Sequence, residues 1–599
     1  MPTVAILGVT IPAVIYISIM ISLGWSYPIL GAKAATSAFS SANANVYLYE
    51  STATKDHFTK IGGNYDTLLT PWRTYFSERN RSYKTVNTEA ALAKLKTGVL
   101  VLPSAVALSD AERISILKFR ENGGSVLATW ATGTRNDRGE WTGWELLQQF
   151  GATYIGDIPN DAEARQLILT GESPLSHSQP AGQRIWMGKT PELLLRIQGE
   201  MAAGRLMNWA RIADDSRKQE GAVVYSESAN TGARAAVFAF SENAWESRPF
   251  AAQQLIDDTM KWLLHEAVAV RAAWPSGKRA AQVIEMDTEE GFPNSLEFAS
   301  IMVKNGIPAT CYVLTSVAKS FAQTLTSLAK GCEIALHGDV HDSFKAQAPS
   351  VQQKRISDMK TDIATLLPGN NKITGFRAPT EGYDRTTESL LHKAGISHHA
   401  ADPQRTEARL PLFAGIPETE PSTDLVVLPR TQRDDINLAS QNLSAEQTSK
   451  ALIDDFDEAV RTGALGWLSV HSQNFAAGST LANAFPEYLA HLRKSSGKVW
   501  LASANQVTQW WRNRDRFKLD TAYNGKRFDM NITIKGSEPV AGASVVVMLP
   551  KRGFVPNVAG TKIGMPSPTV EVIDDFRASI IYPTLKPGNY SYQVTFAPR

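Results

Sequence analysis

At 599 residues, with 43% hydrophobic and 20% charged side chains, the chain is long enough for three or four domains of roughly 150 residues and too apolar to be disordered. Its 61 Lys and Arg nearly balance 59 Asp and Glu, and no long basic run occurs, so no nucleic acid is expected as a partner. Two cysteines, Cys311 and Cys332, rule out a Cys-rich metal site and leave either a disulfide or buried thiols.

The first 32 residues carry no charged side chain, and Val4–Trp25 is an apolar run of twenty-two. At about 1.5 Å per residue it spans a hydrocarbon core of roughly 30 Å. The expectation is a membrane anchor within residues 1–32, with the remaining chain exported, on the periplasmic or extracellular side. A cleaved signal is the alternative, because Ala32-Lys33-Ala34 has the small-x-small form of a cleavage site, but the basic n-region is missing.

From residue 46 to 268 strands and helices alternate. "VYLYE" (Val46–Glu50), "GVLVLPS" (Gly98–Ser104) and "SVLATW" (Ser125–Trp130) read as strands. Ser109–Gly124 reads as a helix with Ser109 as N-cap, Glu112 completing a capping box and Gly123-Gly124 as the stop. Such alternation predicts a parallel sheet with covering helices. The stretch "VLVLPSAVALSDAERISILKFRENGGSVLATW" resembles the class I glutamine amidotransferase-like fold. In working members a Cys nucleophile follows the strand after the Gly-Gly pair. Here Ala128–Gly133 holds no Cys, which implies a non-catalytic domain.

Arg271–Ala281 reads as a basic, Pro- and Gly-containing linker. Alternation resumes over residues 279–514. In the last unit, 516–599, the period changes to two: Phe528, Met530, Ile532 and Ile534 alternate with polar residues, as do Tyr590, Tyr592, Val594 and Phe596. That pattern predicts a small β-sandwich.

Four apolar runs between Gln282 and Phe475 end abruptly in ionisable residues: "QVIEMDTEEG", "EIALHGDVH", "ITGFRAPTEG" and "GWLSVHSQNF". In a parallel α/β fold the C-terminal ends of strands share one face, where sites form. Two imidazoles four residues apart, His337 and His341, with a carboxylate from another strand make a three-ligand site open to water. A second carboxylate can act as base, an arginine can hold it ionised, and a histidine opposite can protonate a leaving amine. Together these describe metal-assisted amide hydrolysis.

The same residues resemble the polysaccharide deacetylases with the NodB homology domain, carbohydrate esterase family 4, over about 235 residues (Arg279–Arg514). The resemblance implies a distorted (β/α) barrel. It makes Asp287 the base and Glu289, His337 and His341 the ligands of a divalent metal, zinc with cobalt or nickel as alternatives; Glu290 remains an alternative to Glu289. Arg377 would steer Asp287, and the backbone N–H of Thr380 would help hold the oxyanion. Tyr383 would replace the aromatic residue lost at Thr380, Leu468 would line the acetyl pocket, and His471 would be the acid. Two departures stand out: Gly338 replaces a hydroxyl residue, and the motif supplying an aspartate to His471 is poorly matched, leaving Asp402 or Asp434-Asp435. Asp339 reads as an outer or solvent-facing residue.

The fold class expected is therefore multidomain α/β: a transmembrane helix, an amidotransferase-like α/β domain, a distorted (β/α) barrel of NodB type and a β-sandwich. The expected function is removal of N-acetyl groups from an extracellular or cell-envelope polysaccharide. Exopolysaccharide synthesis or export proteins are the partners envisaged. Peptidoglycan deacetylation, O-acetyl hydrolysis and an inactive glycan-binding or export scaffold are the rivals.

Overall fold

The structure, a computed structural model, describes residues 45–212, 217–245, 247–369, 373–415 and 423–599. The expected anchor or signal segment lies outside them. Among the described residues no helix is long and apolar enough to cross a membrane.

The first unit is built on a nine-stranded sheet. Lys84–Val86, Val46–Tyr49, Val99–Leu102, Ser125–Thr129 and Arg234–Phe238 run parallel in that order. The expectation of a parallel sheet stops there. Val223–Glu227, Met201–Met207, Gln166–Leu169 and Arg184–Trp186 extend it antiparallel, with no α-helix between them among the described residues. The predicted helix forms over Asp110–Glu121, with Ser109 and Glu112 closing the capping box. At the turn after Ser125–Thr129, Trp130 has φ +47°.

The middle unit carries the four stretches singled out above. Its strands lie in the order Leu412–Phe413, Val426–Pro429, His398–Ala401, Gly375–Arg377, Glu333–Gly338, Thr310–Leu314, Ala280–Thr288 and Leu465–His471; Val499–Leu501 also pairs with Ala280–Thr288. All pairs are parallel except Leu412–Phe413 with Val426–Pro429. The sheet curls until its ends meet. Beyond Pro429, the Thr431 hydroxyl donates to Leu465 O (2.7 Å) and accepts from Trp467 N (2.9 Å), while Gln432 N donates to Trp467 O (3.2 Å). Helices such as Ser295–Lys304, Pro349–Leu366, Ala445–Thr462 and Thr480–Ser495 cover the outside, burying Ile284, Met286, Leu468 and Val470 with Phe298, Met359, Phe456 and Phe485. Strand alternation then turns Glu285, Asp287, Trp467, Ser469 and His471 to the inside.

The last unit has two four-stranded antiparallel sheets whose facing residues share one apolar cluster. Phe528, Met530, Ile532 and Ile534 point inward as their period predicts. The stretch expected to be a linker is more than that. Val268–Arg271, just ahead of it, pairs with Ser544–Met548 as an edge strand of the last unit, and Trp274 is fully buried, donating from Nε1 to Gly463 O (2.9 Å). An apolar Val-Ala-Val run and an indole lose too much on exposure to be left as a tether.

Candidate active site

Each functional side chain leaves the C-terminal end of a strand. Ala280–Thr288 ends in Asp287 and runs on to Glu289, Glu333–Gly338 delivers His337, Gly375–Arg377 ends in Arg377, and Leu465–His471 ends in His471. The two imidazoles are not on a helix. His337 stands at the end of a strand and His341 follows in a bend, brought back by Gly338 at φ +130°. A Cβ at that position would lie 3.0 Å from Pro379 and 3.2 Å from Val340 O, so the glycine found in place of a hydroxyl residue meets a steric demand.

Glu289 Oε1 lies 3.1 Å from His337 Nε2 and 2.7 Å from His341 Nε2. Glu290, the alternative ligand, is exposed and is absent from this cluster. His337 Nδ1 lies 3.1 Å from the carbonyl oxygen of Arg377, which can only accept, so Nδ1 carries the proton. In the neutral ring Nε2 then presents a lone pair to a carboxylate oxygen. Two facing lone pairs repel unless a cation lies between them, either a proton or a metal ion. Two imidazole nitrogens and one carboxylate oxygen within 4.8 Å of one another are a donor set that fits a divalent metal with an open position. Burial would raise the Glu289 carboxyl, but where the cation between them is a proton the His337 imidazole, together with the hydrogen bond from Gln473 Nε2 (2.9 Å), brings it down to about 2.

Asp287 is 2% exposed and accepts from Arg377 Nε at Oδ2 (2.7 Å); its Oδ1 has no hydrogen-bond partner. Burial alone would push this carboxyl up. The Arg377 guanidinium, with His337 and His471, outweighs burial and holds it below the usual carboxylate range. Arg377 Nη2 also binds Glu381 (3.1 Å), which accepts from Arg430 Nε (2.8 Å), and Arg430 reaches Asp434 (3.0 Å).

Opposite stands His471, with Nε2 3.7 Å from Asp287 Oδ2. Its Nδ1 meets Asp435 Oδ1 at 2.6 Å, and its backbone N–H donates to Asp435 Oδ2 (2.8 Å). Burial would lower the imidazole, but Asp435, with Asp287 and Glu289, raises it to about 9. The two alternatives left open by the sequence thus separate: Asp435 meets His471, whereas Asp402 accepts from the Tyr383 hydroxyl (2.6 Å). Asp339 is not free in solvent but ion-paired with Arg355 (2.8 Å).

Three expectations about substrate contacts fare differently. Leu468 does not line the site. Three residues before His471 on the same strand, it faces the helix layer, fully buried beside Val470. Thr380 is exposed at φ +57°, its hydroxyl donating to Pro379 O (2.6 Å). Tyr383 is half-buried with its ring 4.8 Å from that of His399, beside the turn that carries Glu381. Sequence reasoning misses Ser472, Gln473 and Asn474. Ser472 Oγ accepts from Glu289 N (2.9 Å), and Asn474 Nδ2 donates to Asp435 (3.0 Å). Their adjacency to His471 is the only signal the sequence offers.

Residues 281–399 match the family model described as polysaccharide deacetylase. The match holds Asp287, Glu289, His337, His341 and Arg377 and stops before Asp435 and His471. No curated protein matches the chain. Among solved structures, one described as a putative polysaccharide deacetylase from Mycobacterium smegmatis is 17% identical, covering 41% of this chain and 94% of its own, with a TM-score of 0.36. Another, described as a probable polysaccharide deacetylase from Pseudomonas aeruginosa PAO1, is 15% identical over 41% and 94%, with a TM-score of 0.34. A CE4 family pseudoenzyme from Bacillus anthracis is 12% identical over 40% and 67%, at 0.29.

Proposed function

We propose that the chain is a metal-dependent hydrolase removing N-acetyl groups from amino-sugar residues of an extracellular or cell-envelope polysaccharide. The observation that carries this reading is one side-chain assembly. Donor atoms of Glu289, His337 and His341 converge beside a buried carboxyl with one free oxygen, and His471, paired with Asp435, stands opposite. The family-model match over residues 281–399 supports a polysaccharide as the substrate class.

A divalent cation such as zinc, cobalt or nickel, held by Glu289, His337 and His341, would supply Lewis acidity, polarising the acyl oxygen and making water easier to deprotonate. Asp287 Oδ1 takes the water proton, while Arg377 keeps Oδ2 engaged and the carboxyl ionised at neutral pH. His471, held protonated by Asp435, delivers a proton to the nitrogen that leaves as the sugar's amine. Thr380 and Tyr383, on the turn after Arg377, border the approach of the sugar. The mixed-sheet first unit, read as an amidotransferase-like domain without a nucleophile, and the two-sheet last unit, read as a β-sandwich, would position this centre or hold glycan. The apolar N-terminal run would anchor them on the exported side, beside synthesis or export proteins.

The test is acetate release by the chain from Ala34 onward, with zinc, cobalt or nickel, across N-acetylated glycans, peptidoglycan and O-acetylated glycans. Release from N-acetylated exopolysaccharide is expected. Release only from peptidoglycan or from O-acetyl substrates would move the assignment to those, and release from none would leave a scaffold.

A further inference from the structure

Glu285 is a buried carboxyl that the mechanism above does not use. It lies two residues before Asp287 on the same strand and inner face, and it is 0% exposed. Its Oε1 accepts a hydrogen bond from Ser469 Oγ and a longer one from Trp467 Nε1 (3.4 Å), both on the strand that ends in His471. Arg377 Nη1 lies 3.4 Å from the same oxygen and has no hydrogen-bond partner of its own. The Arg377 guanidinium therefore has a carboxyl at each of its three nitrogens: Asp287 at Nε, Glu285 at Nη1 and Glu381 at Nη2.

We propose that Glu285 is a positioning residue. It fixes the Arg377 guanidinium from inside the barrel and ties it to the His471 strand, so that Asp287 keeps Oδ2 engaged and Oδ1 free. The proposal rests on Asp287 being the base. Glu285 does this through Oε1, which accepts from Ser469 and Trp467 on one side and stands 3.4 Å from Arg377 Nη1 on the other. Burial, and then the nearby Asp287 carboxylate, raise its carboxyl to about 8, so it carries its proton at neutral pH. Both hydrogen-bond donors, Ser469 Oγ and Trp467 Nε1, gather on Oε1, so that oxygen carries the carboxyl's contacts. A glutamine would keep the same carbonyl oxygen in the same place.

The test compares Glu285→Gln with Glu285→Met in the full chain, reading kcat and KM for acetate release, bound metal, and the Arg377–Asp287 distance in crystals of each. Glu285→Gln should keep kcat within about threefold and the 2.7 Å contact. Glu285→Met, of similar volume but with no acceptor, should lose at least about tenfold in kcat, with KM and bound metal unchanged and the contact lengthened. If Glu285→Met does not fold, Glu285→Asp, which withdraws the acceptor by one methylene, takes its place with the same expectation. Wild-type kcat and contact in the acceptor-deficient variant overturn the proposal, and so does a tenfold loss in Glu285→Gln. If the wild-type chain releases no acetate from any glycan, the deacetylase reading fails while the crystal distances still decide whether Glu285 positions Arg377.

Discussion

Two buried carboxyl groups sit near strand ends in different units of this chain, and their surroundings differ in one respect. Glu242, in the first unit, accepts from Trp72 Nε1 (2.8 Å), Ser104 Oγ (2.6 Å) and Thr129 Oγ1 (2.6 Å), leaving neither oxygen idle. Asp287, in the middle unit, keeps Oδ1 without a partner and has two imidazoles and a guanidinium around it. A saturated polar cluster holds a fold together, because every group has exchanged water for a protein partner. An unsaturated one costs stability and persists where something else is to be bound or moved.

The largest effect expected on that contrast comes from the donor set. His337→Ala or His341→Ala should abolish both bound metal and acetate release, read by elemental analysis and an acetate assay. Either variant with full metal and activity would refute the assignment. Asp287→Asn should keep the metal and lower turnover by about 10²–10⁴-fold. Loss of metal in that variant, with Glu289→Gln harmless, would show that the two acidic roles are reversed.

Asp435→Asn removes the anion that keeps His471 protonated up to about 9. Its imidazole should then lose its proton at lower pH, so the alkaline limb of the kcat/KM profile should move down the pH scale by about one to three. An unmoved limb would mean that His471 is not the acid. Glu242→Ala should do the opposite of all these. Stranding the Trp72, Ser104 and Thr129 donors should cost about 3 kcal/mol in chemical denaturation, with metal content and activity per folded molecule unchanged.

The smallest effect is in pH dependence. Burial raises the Glu242 carboxyl to about 7, so the folded chain keeps a proton that the unfolded chain releases. Stability contributed by that proton is complete below the ordinary carboxylate range and is lost as pH rises towards 7, by up to about 3 kcal/mol. Glu242→Gln should flatten that slope. An unchanged slope would place the titration elsewhere.

Much of the centre is legible because it is local in sequence. Asp287 with Glu289, and His337 with His341, each fall within one strand end, and the apolar runs before them mark the strands. Asp435 is one of several choices in the sequence because it reaches His471 across 36 residues from a short helix, Asp435–Ala439, N-capped by Asp434. Leu468 is misplaced when its spacing from His471 is read without the alternation of a strand, which sends residues three apart to opposite faces. Glu285 draws no notice because a carboxyl inside a barrel looks, in sequence, like any other polar residue near a strand end. The antiparallel half of the first sheet escapes because its strands are short and continuous in burial, with no alternation to betray them.

The edge strand Val268–Arg271 has a consequence for how the protein is made. During synthesis it emerges well ahead of Ser544–Met548, its partner, so the whole barrel can form while this edge waits uncovered. A fragment beginning at residue 516 would be missing a rung, and a chain stopped before residue 540 would expose Val268, Ala269 and Val270 to any passing strand. The stretch Ser544–Met548 acts as a clasp, fastened only after the middle unit has been made.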